Sequence, residues 1–116
     1  MKSCLTRRYH FQSVHSLTTG LHREIEHGHG FGLEVSFLGG VEPARVDAIV
    51  REKILSVLHA RNLNSVLSPA TGEVLVEWAH ARLLDSPELS PFLRAVCLQE
   101  TRKNRFVSSR SEVDFV

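Results

Sequence analysis

Three histidines lie where the chain could assemble a metal site. His27 and His29 flank Gly28, and the pair directly precedes a run of alternating apolar residues at 31–37. Residues two apart in an extended strand point to the same face, so both imidazoles can converge on one ion. His15 ends an earlier alternating run, and antiparallel pairing of the two runs would bring it beside the pair. Three imidazole nitrogens form the ligand set of a catalytic zinc ion, whose fourth position stays open.

The alternative is that these histidines are ordinary solvated side chains, since the sequence contains seven of them. The rest of the composition describes one globular domain spanning residues 1–116, large enough to bury roughly 65% of its unfolded surface. With 42% hydrophobic and 23% charged residues, disorder over most of the chain is excluded. Two cysteines make no disulfide framework, and Cys97 is expected to be buried in an apolar run.

Charge and hydropathy exclude two classes of partner. The formal net charge of +1 leaves only local basic clusters, so we expect no nucleic-acid partner. No apolar stretch reaches the ~18 residues needed to cross a bilayer, and Arg7 and Arg8 interrupt any apolar signal core. We therefore expect a cytoplasmic protein without a membrane partner.

The elements that must position the histidines follow from hydrophobic periodicity. Alternation predicts strands, and a loop is expected at 16–26 because Thr18, Thr19 and Gly20 break the pattern. Pro43 opens an apolar series with helical spacing, and a second helical series begins around 68–71 and stops at Pro87. The predicted strands are 5–15, about 27–38, 94–101 and 105–107, and the predicted helices run from 43 to about 59 and from about 71 to 85.

The order β-β-α-α-β-β predicts an α+β fold in which an antiparallel sheet carries both helices on one face. Such a sheet has two free edges and a second face that the sequence does not clearly cover. Pairing with copies of itself would remove the edges, so we expect a homo-oligomer that closes into a barrel.

In order and spacing, a set of segments resembles the 6-pyruvoyl-tetrahydropterin synthase and 6-carboxy-tetrahydropterin synthase family, which has the tunnelling fold. The similarity runs from about Tyr9 to Phe106. Each segment alone would be weak evidence, but the set together strengthens the zinc hypothesis. The segments are His15, His27-Gly28-His29, Leu58-His59-Ala60-Arg61-Asn62-Leu63-Asn64, Pro69-Ala70-Thr71-Gly72-Glu73 and Leu98-Gln99-Glu100-Thr101.

The resemblance implies a zinc ion held by His15, His27 and His29 and a pterin ring anchored by Glu100. A carboxylate that accepts two parallel N–H bonds from a 2-amino-4-oxo ring makes a bidentate, charge-assisted contact, which agrees with this role. The alternative for Glu100 is a salt bridge to Arg94 or Arg105. The resemblance also implies that substrate-binding residues include Thr71, Glu73 and Thr101.

Two features depart from the family pattern. The family's usual catalytic cysteine, four residues before the first histidine of the pair, is Arg23 here. A family subgroup uses a glutamate three residues before that histidine, and Glu24 has this spacing, although it could also be a solvated loop charge. An Asp-His pair is replaced by His59-Ala60, so His59 either substitutes for the missing imidazole or interacts with a helix C-terminus.

The resemblance therefore implies a zinc-dependent lyase acting on the side chain of 7,8-dihydroneopterin triphosphate or a related dihydropterin, in a folate, queuosine or biopterin type of pathway. Glu24 favours aldol-type cleavage to a 6-hydroxymethyl product. The implied assembly is a homohexamer. The alternative, favoured by the missing cysteine and Asp-His pair, is a catalytically inactive homologue that binds a pterin or purine.

Overall fold

A computed structural model describes residues 3–17, 25–67, 69–100 and 103–110, and the side chains at 14–29 lie outside this description. The predicted β-β-α-α-β-β order is confirmed. A π-helical turn at Arg51–Leu55 joins helices α1 and α2 into one continuous helix, and a 3-10 turn spans Leu63–Ser65. The elements are β1 (Cys4–Leu17), β2 (Ile25–Leu38), α1 (Pro43–Val50), α2 (Ser56–Leu58), α3 (Gly72–Leu84), β3 (Leu93–Gln99) and β4 (Arg105–Ser109).

The four strands form one antiparallel sheet in the order β1-β2-β3-β4. Strands β1 and β2 form a long hairpin paired from Cys4–Leu38 to Leu17–Ile25. The prediction of a loop over 16–26 was therefore wrong at both ends, because backbone pairing continues beyond the residues whose hydrophobic alternation marks the strands. β3 pairs with β2 only from Gly32 to Phe37, so the outer half of the hairpin extends past it.

The core lies between one face of the sheet and the helices. Alternate residues of β2 are buried there because side chains two apart share a face. Helix α1 begins at Pro43 and contributes residues at helical spacing, while Cys97 is buried as expected but on the opposite face of the sheet. The main buried side chains are Phe11, Phe31, Leu33, Val35, Phe37, Val46, Ile49, Val50, Ile54, Leu58, Leu75, Leu83, Leu93, Val96 and Leu98.

The helical spacing of Val74, Leu75, Trp78, Ala79 and Leu83 predicts one buried face for α3, and the structure departs from it in two places. Val74 and Trp78 are only half-buried, whereas Val76 and His80 are buried. His80 packs toward β4, where its Nδ1 lies 2.7 Å from the Ser108 hydroxyl oxygen. In the part of the chain that the structure describes, no helix is both long enough and apolar enough to cross a membrane.

Hydrogen bonds hold strand β1 against helix α1. Arg7 donates to both carboxylate oxygens of Asp47, at 3.0 and 2.6 Å, and the Tyr9 hydroxyl donates to the same carboxylate at 2.6 Å. The bonds from Arg7 and Tyr9 lower the pKa of Asp47 to about 2. Burial, together with the nearby carboxylate, raises the pKa of Tyr9. The first strand is thus fixed to the helix by an ionised, fully engaged carboxylate.

Candidate functional site

A cavity of about 660 Å³ opens where the β1–β2 hairpin, the end of β3 and the end of α2 meet. Phe11 and Phe31 border it, but their stacked rings, with centroids 5.0 Å apart, are buried in the core. The lining residues are His10, Phe11, Gln12, Gly30, Phe31, Gly32, His59, Gln99 and Glu100.

His59 stands at the rim of this cavity, immediately after α2. Its backbone N–H donates to Leu55 O, and its ring Nδ1 accepts a hydrogen bond from the backbone N–H of Gln12 at 3.3 Å. An imidazole that accepts at Nδ1 carries its proton at Nε2. The bond from Gln12 therefore fixes the orientation of the His59 ring and leaves Nε2 as its donor position.

The segment after α2 is fastened to β1 by further bonds. The Ala60 N–H donates to Gln12 O at 2.6 Å, and the Ser13 hydroxyl donates to Leu58 O. Ala60 has a φ of 58°, which is uncommon for a residue other than glycine and costs on the order of 1 kcal/mol. These bonds compensate for the backbone strain and fix the position of the His59 ring.

Glu100 follows the last residue of β3 and is half-buried in the cavity wall. Its backbone N–H donates to Asn104 O at 3.1 Å, which closes the turn between β3 and β4. The two arginines considered as alternative partners make other contacts: Arg105 donates to Glu34 and Cys97, and Arg94 donates to Cys4 Sγ. The structure thus brings Glu100 and His59, both predicted site residues, to one cavity.

Thr71 and Glu73 lie at the start of α3 rather than in the cavity wall. The Thr71 hydroxyl caps the helix by accepting from the Val74 N–H at 3.3 Å, and Glu73 is exposed in the first turn. Neither is among the described residues that line the cavity. In this single chain, the described contacts of Thr71 are those of a helix cap.

The predicted zinc ligands lie on the hairpin, where the backbone register is described. His15 is the direct partner of His27, and His29 pairs with Ser13. Directly opposed residues of an antiparallel pair, and residues two apart on one strand, share a face of the sheet. The backbone register therefore brings the three positions to one stretch of the hairpin.

Several predicted residues lie beyond what the structure describes. The side chains of His15, His27 and His29 are outside the described set, as are Glu24 and Thr101 entirely. Among the described side chains, no cluster of three or more His, Cys, Asp or Glu residues is arranged to hold a metal ion. The zinc site and the role of Glu24 stay predictions.

Sequence reasoning gave no role to three polar residues of the cavity, His10, Gln12 and Gln99. His10 and Gln12 are polar residues that alternate with the buried residues of β1. Hydrophobic periodicity predicts that such side chains face solvent. Their place beside Glu100 depends on the β1–β2–β3 register, in which His10 pairs with Gly32 and Gly32 with Gln99. Only that register could have identified them.

No protein-family model matches this chain, and no curated protein does. Its fold does match solved structures over nearly the whole chain. Caenorhabditis elegans 6-pyruvoyl tetrahydropterin synthase superposes with a TM-score of 0.73 at 20% sequence identity, covering 96% of this chain and 97% of that one. A Plasmodium vivax 6-pyruvoyltetrahydropterin synthase gives 0.73 at 11% identity, covering 96% and 99%. An uncharacterized protein from Wolinella succinogenes, WS1659, gives 0.75 at 14%, covering 96% and 99%.

These similarities place the antiparallel sheet and helices of this chain in the same fold class as the pterin synthase structures. The chain has the 6-pyruvoyl tetrahydropterin synthase fold, as its sequence resemblance predicted.

Proposed function

We propose that this chain is a zinc-dependent enzyme of the 6-pyruvoyl/6-carboxy-tetrahydropterin synthase family, a lyase acting on the side chain of 7,8-dihydroneopterin triphosphate or a related dihydropterin. The observation that carries the proposal is the hairpin register, in which His15 is opposite His27 and His29 follows two residues on. The fold shared with pterin synthases supports it independently.

Binding of the pterin ring would use the cavity lined by Glu100 and His59. Glu100 would accept N–H bonds from the ring, because an ionised carboxylate can take two parallel donors. His59 would offer its Nε2–H to a ring or side-chain oxygen, since its Nδ1 is occupied by Gln12.

His15, His27 and His29 would hold the metal ion, which when bound supplies polarisation of the ligand's hydroxyl groups and lowers their pKa. Glu24 is the proposed general base, because a carboxylate within reach of an acidified hydroxyl can accept its proton. The Plasmodium vivax structure named above carries an alanine in place of a catalytic glutamate, so in that protein a glutamate has a catalytic role. We propose aldol-type cleavage as the reaction of this chain.

The test separates ring binding from catalysis with two matched variants. Glu100→Gln keeps the shape of the side chain but replaces one acceptor oxygen with a donor that would face the ring's own N–H groups. We expect it to weaken binding of neopterin or biopterin by about 30- to 150-fold, or roughly 2–3 kcal/mol. Glu24→Gln is expected to lower turnover by ~10²-fold or more and leave zinc content and pterin affinity near wild type.

The outcomes also decide between the enzyme and the alternative, an inactive homologue that binds a pterin or purine. The alternative has its own support, because Arg23 and His59-Ala60 stand where the family places a cysteine and an Asp-His pair. Tight pterin binding without turnover, unchanged in Glu24→Gln, would establish the binding protein. Unchanged pterin affinity in Glu100→Gln would refute the proposed ring anchor.

A further inference from the structure

Helix α3 supports strand β4 at two points. The Phe106 ring packs against Gly72, and the Ser108 hydroxyl oxygen lies 2.7 Å from His80 Nδ1. In the part of the chain that the structure describes, β4 pairs with β3 on one side and with no strand on the other. The position of β4 therefore depends on its pairing with β3 and on these two contacts with α3.

The contact at Ser108 uses a buried imidazole. Only 6% of His80 is exposed, and its Nε2 has no hydrogen-bond partner among the described residues. A neutral ring tolerates this burial, because it can donate from Nδ1 to the Ser108 oxygen and carry no proton on Nε2. The contact between α3 and β4 is therefore compatible with the neutral form of His80.

Protonation of His80 would destabilise this contact. A protonated ring has an N–H on both nitrogens, so Nε2 would become a buried donor without an acceptor, and the buried ring would gain a positive charge. Burial lowers the pKa of His80, and the positive charge of Arg110 adds to this effect. Separation of β4 from α3 would expose the ring to water and relieve both costs.

The charged groups around His80 do not compensate for a positive charge on the ring. Among the described residues, Arg110, which follows β4, is the charged group that acts on His80. On α3 itself, Glu73 and Glu77 are exposed. Arg82 lies about 200° further around the helix, where it donates to a backbone oxygen of the π-helical turn. The strand β3, which also packs against α3, buries apolar side chains in the core, at Val96 and Leu98.

Strand β4 also holds the turn that carries Glu100. The Glu100 N–H donates to Asn104 O at 3.1 Å, and β4 begins at the next residue, Arg105, which pairs with Gln99. Glu100 lines the cavity of the candidate site. An opening of β4 would therefore also release the backbone that positions Glu100.

We propose that the His80–Ser108 contact is a pH-sensitive switch for β4: the neutral ring holds the strand and the turn at Glu100 in place, and protonation of the ring favours their opening. The switch stands on the contacts of His80 alone. Its connection to ligand binding through Glu100 rests on the proposed function.

Amide hydrogen exchange at pH 7.5 and 5.5, corrected for the intrinsic pH dependence of exchange, tests the switch. Only openings that expose His80 are favoured by its protonation, so protection of the β4 amides should fall by several-fold, and by at most about tenfold, at the lower pH. Openings confined to the first residues of β1 leave His80 buried, so protection there should not change. His80→Asn should remove the pH dependence in β4. A β4 protection that does not change with pH in wild type, or that falls equally in His80→Asn, would overturn the switch.

Ser108→Ala tests the same contact without changing the imidazole. It removes the one described partner of the His80 ring, so β4 protection should fall by several-fold already at pH 7.5. Ser109→Ala is the matched control, because Ser109 is the next residue of β4 and is exposed. Equal protection of β4 in the two variants would overturn the role of the contact.

Hydrogen exchange in the presence of neopterin tests the connection to Glu100. A ligand that needs Glu100 in place binds only the closed form, so neopterin at ten times its Kd should raise β4 protection about tenfold at pH 5.5. Unchanged β4 protection in protein that is saturated with neopterin would overturn the connection. Absence of neopterin binding would instead refute the proposed ring site, and the pH dependence of β4 protection would still decide the switch.

Discussion

Gly72 allows the close approach of helix α3 to strand β4, so replacing it with alanine should lower the free energy of unfolding. Gly72 is the first residue of α3, directly after the Thr71 cap, and it is buried. A Cβ at this position would lie 2.8 Å from Phe106 Cζ and closer still to two other ring atoms. Real Cβ atoms do not approach this near, so the Phe106 ring must move away from the helix.

The expected cost follows from two opposing terms. Overpacking of this kind destabilises by about 1–3 kcal/mol, while replacing a helical glycine by alanine gains up to about 1 kcal/mol from propensity. The propensity term is small at the first helical position, so a net loss of about 1–2 kcal/mol is expected for Gly72→Ala. For a domain of this size that corresponds to roughly 4–10 °C in Tm.

Thermal and urea unfolding of four proteins measures this effect: wild type, Gly72→Ala, Phe106→Ala and the double variant. Because Phe106→Ala removes the ring that the new methyl group would meet, Gly72→Ala should cost little or be stabilising in that background. Gly72→Ala that stabilises the wild-type chain, as at an open helical glycine, would refute the claim of close packing between α3 and β4.

Three further outcomes follow from the same structure. Burial lowers the pKa of His80 below its ordinary 6.5, so on acidification the unfolded chain takes up the proton first. The free energy of unfolding should therefore fall as the pH drops below about 6.5, and His80→Asn should remove this dependence. The bonds from Arg7 and Tyr9 hold the pKa of Asp47 at about 2, below its ordinary 3.8, so the free energy of unfolding should also fall between pH 4 and 2. Urea unfolding at pH 7 should show that Asp47→Asn costs about 1–2 kcal/mol. Light scattering should give a mass several times 13.0 kDa, because the β1 and β4 edges of the sheet otherwise stay open, and the sequence resemblance implies a hexamer. A stable monomer would contradict this assembly.

Much of the fold could be predicted because burial imposes a period on the sequence. The residues 31, 33, 35 and 37 alternate with polar or small residues and are all buried. The apolar series from Val46 to Leu58, which runs from α1 through α2, has helical spacing and contributes to the core. The predicted element order and sheet were confirmed for this reason. Strand ends were less accurate, because the pairing of Ser16 with Glu26 uses backbone groups that leave no mark on the residue pattern.

The candidate site was predictable only where it could be carried over from a resemblance. Glu100 and His59 were proposed on that basis, and both line the cavity. The orientation of His59 depends on a hydrogen bond to Gln12, 47 residues away, and on the positive φ of Ala60, which no local pattern predicts. His10 escaped notice because its position looks like any polar residue on an exposed strand face.

Incubation of the zinc-loaded protein with 7,8-dihydroneopterin triphosphate, followed by identification of the products, tests the proposed function most directly. The expected result is conversion of the pterin side chain to a cleaved product, with a 6-hydroxymethyl-dihydropterin as the proposed one, and a turnover that falls at least ~10²-fold in Glu24→Gln. Recovery of the unchanged substrate from zinc-loaded, correctly folded protein would contradict the proposed enzyme.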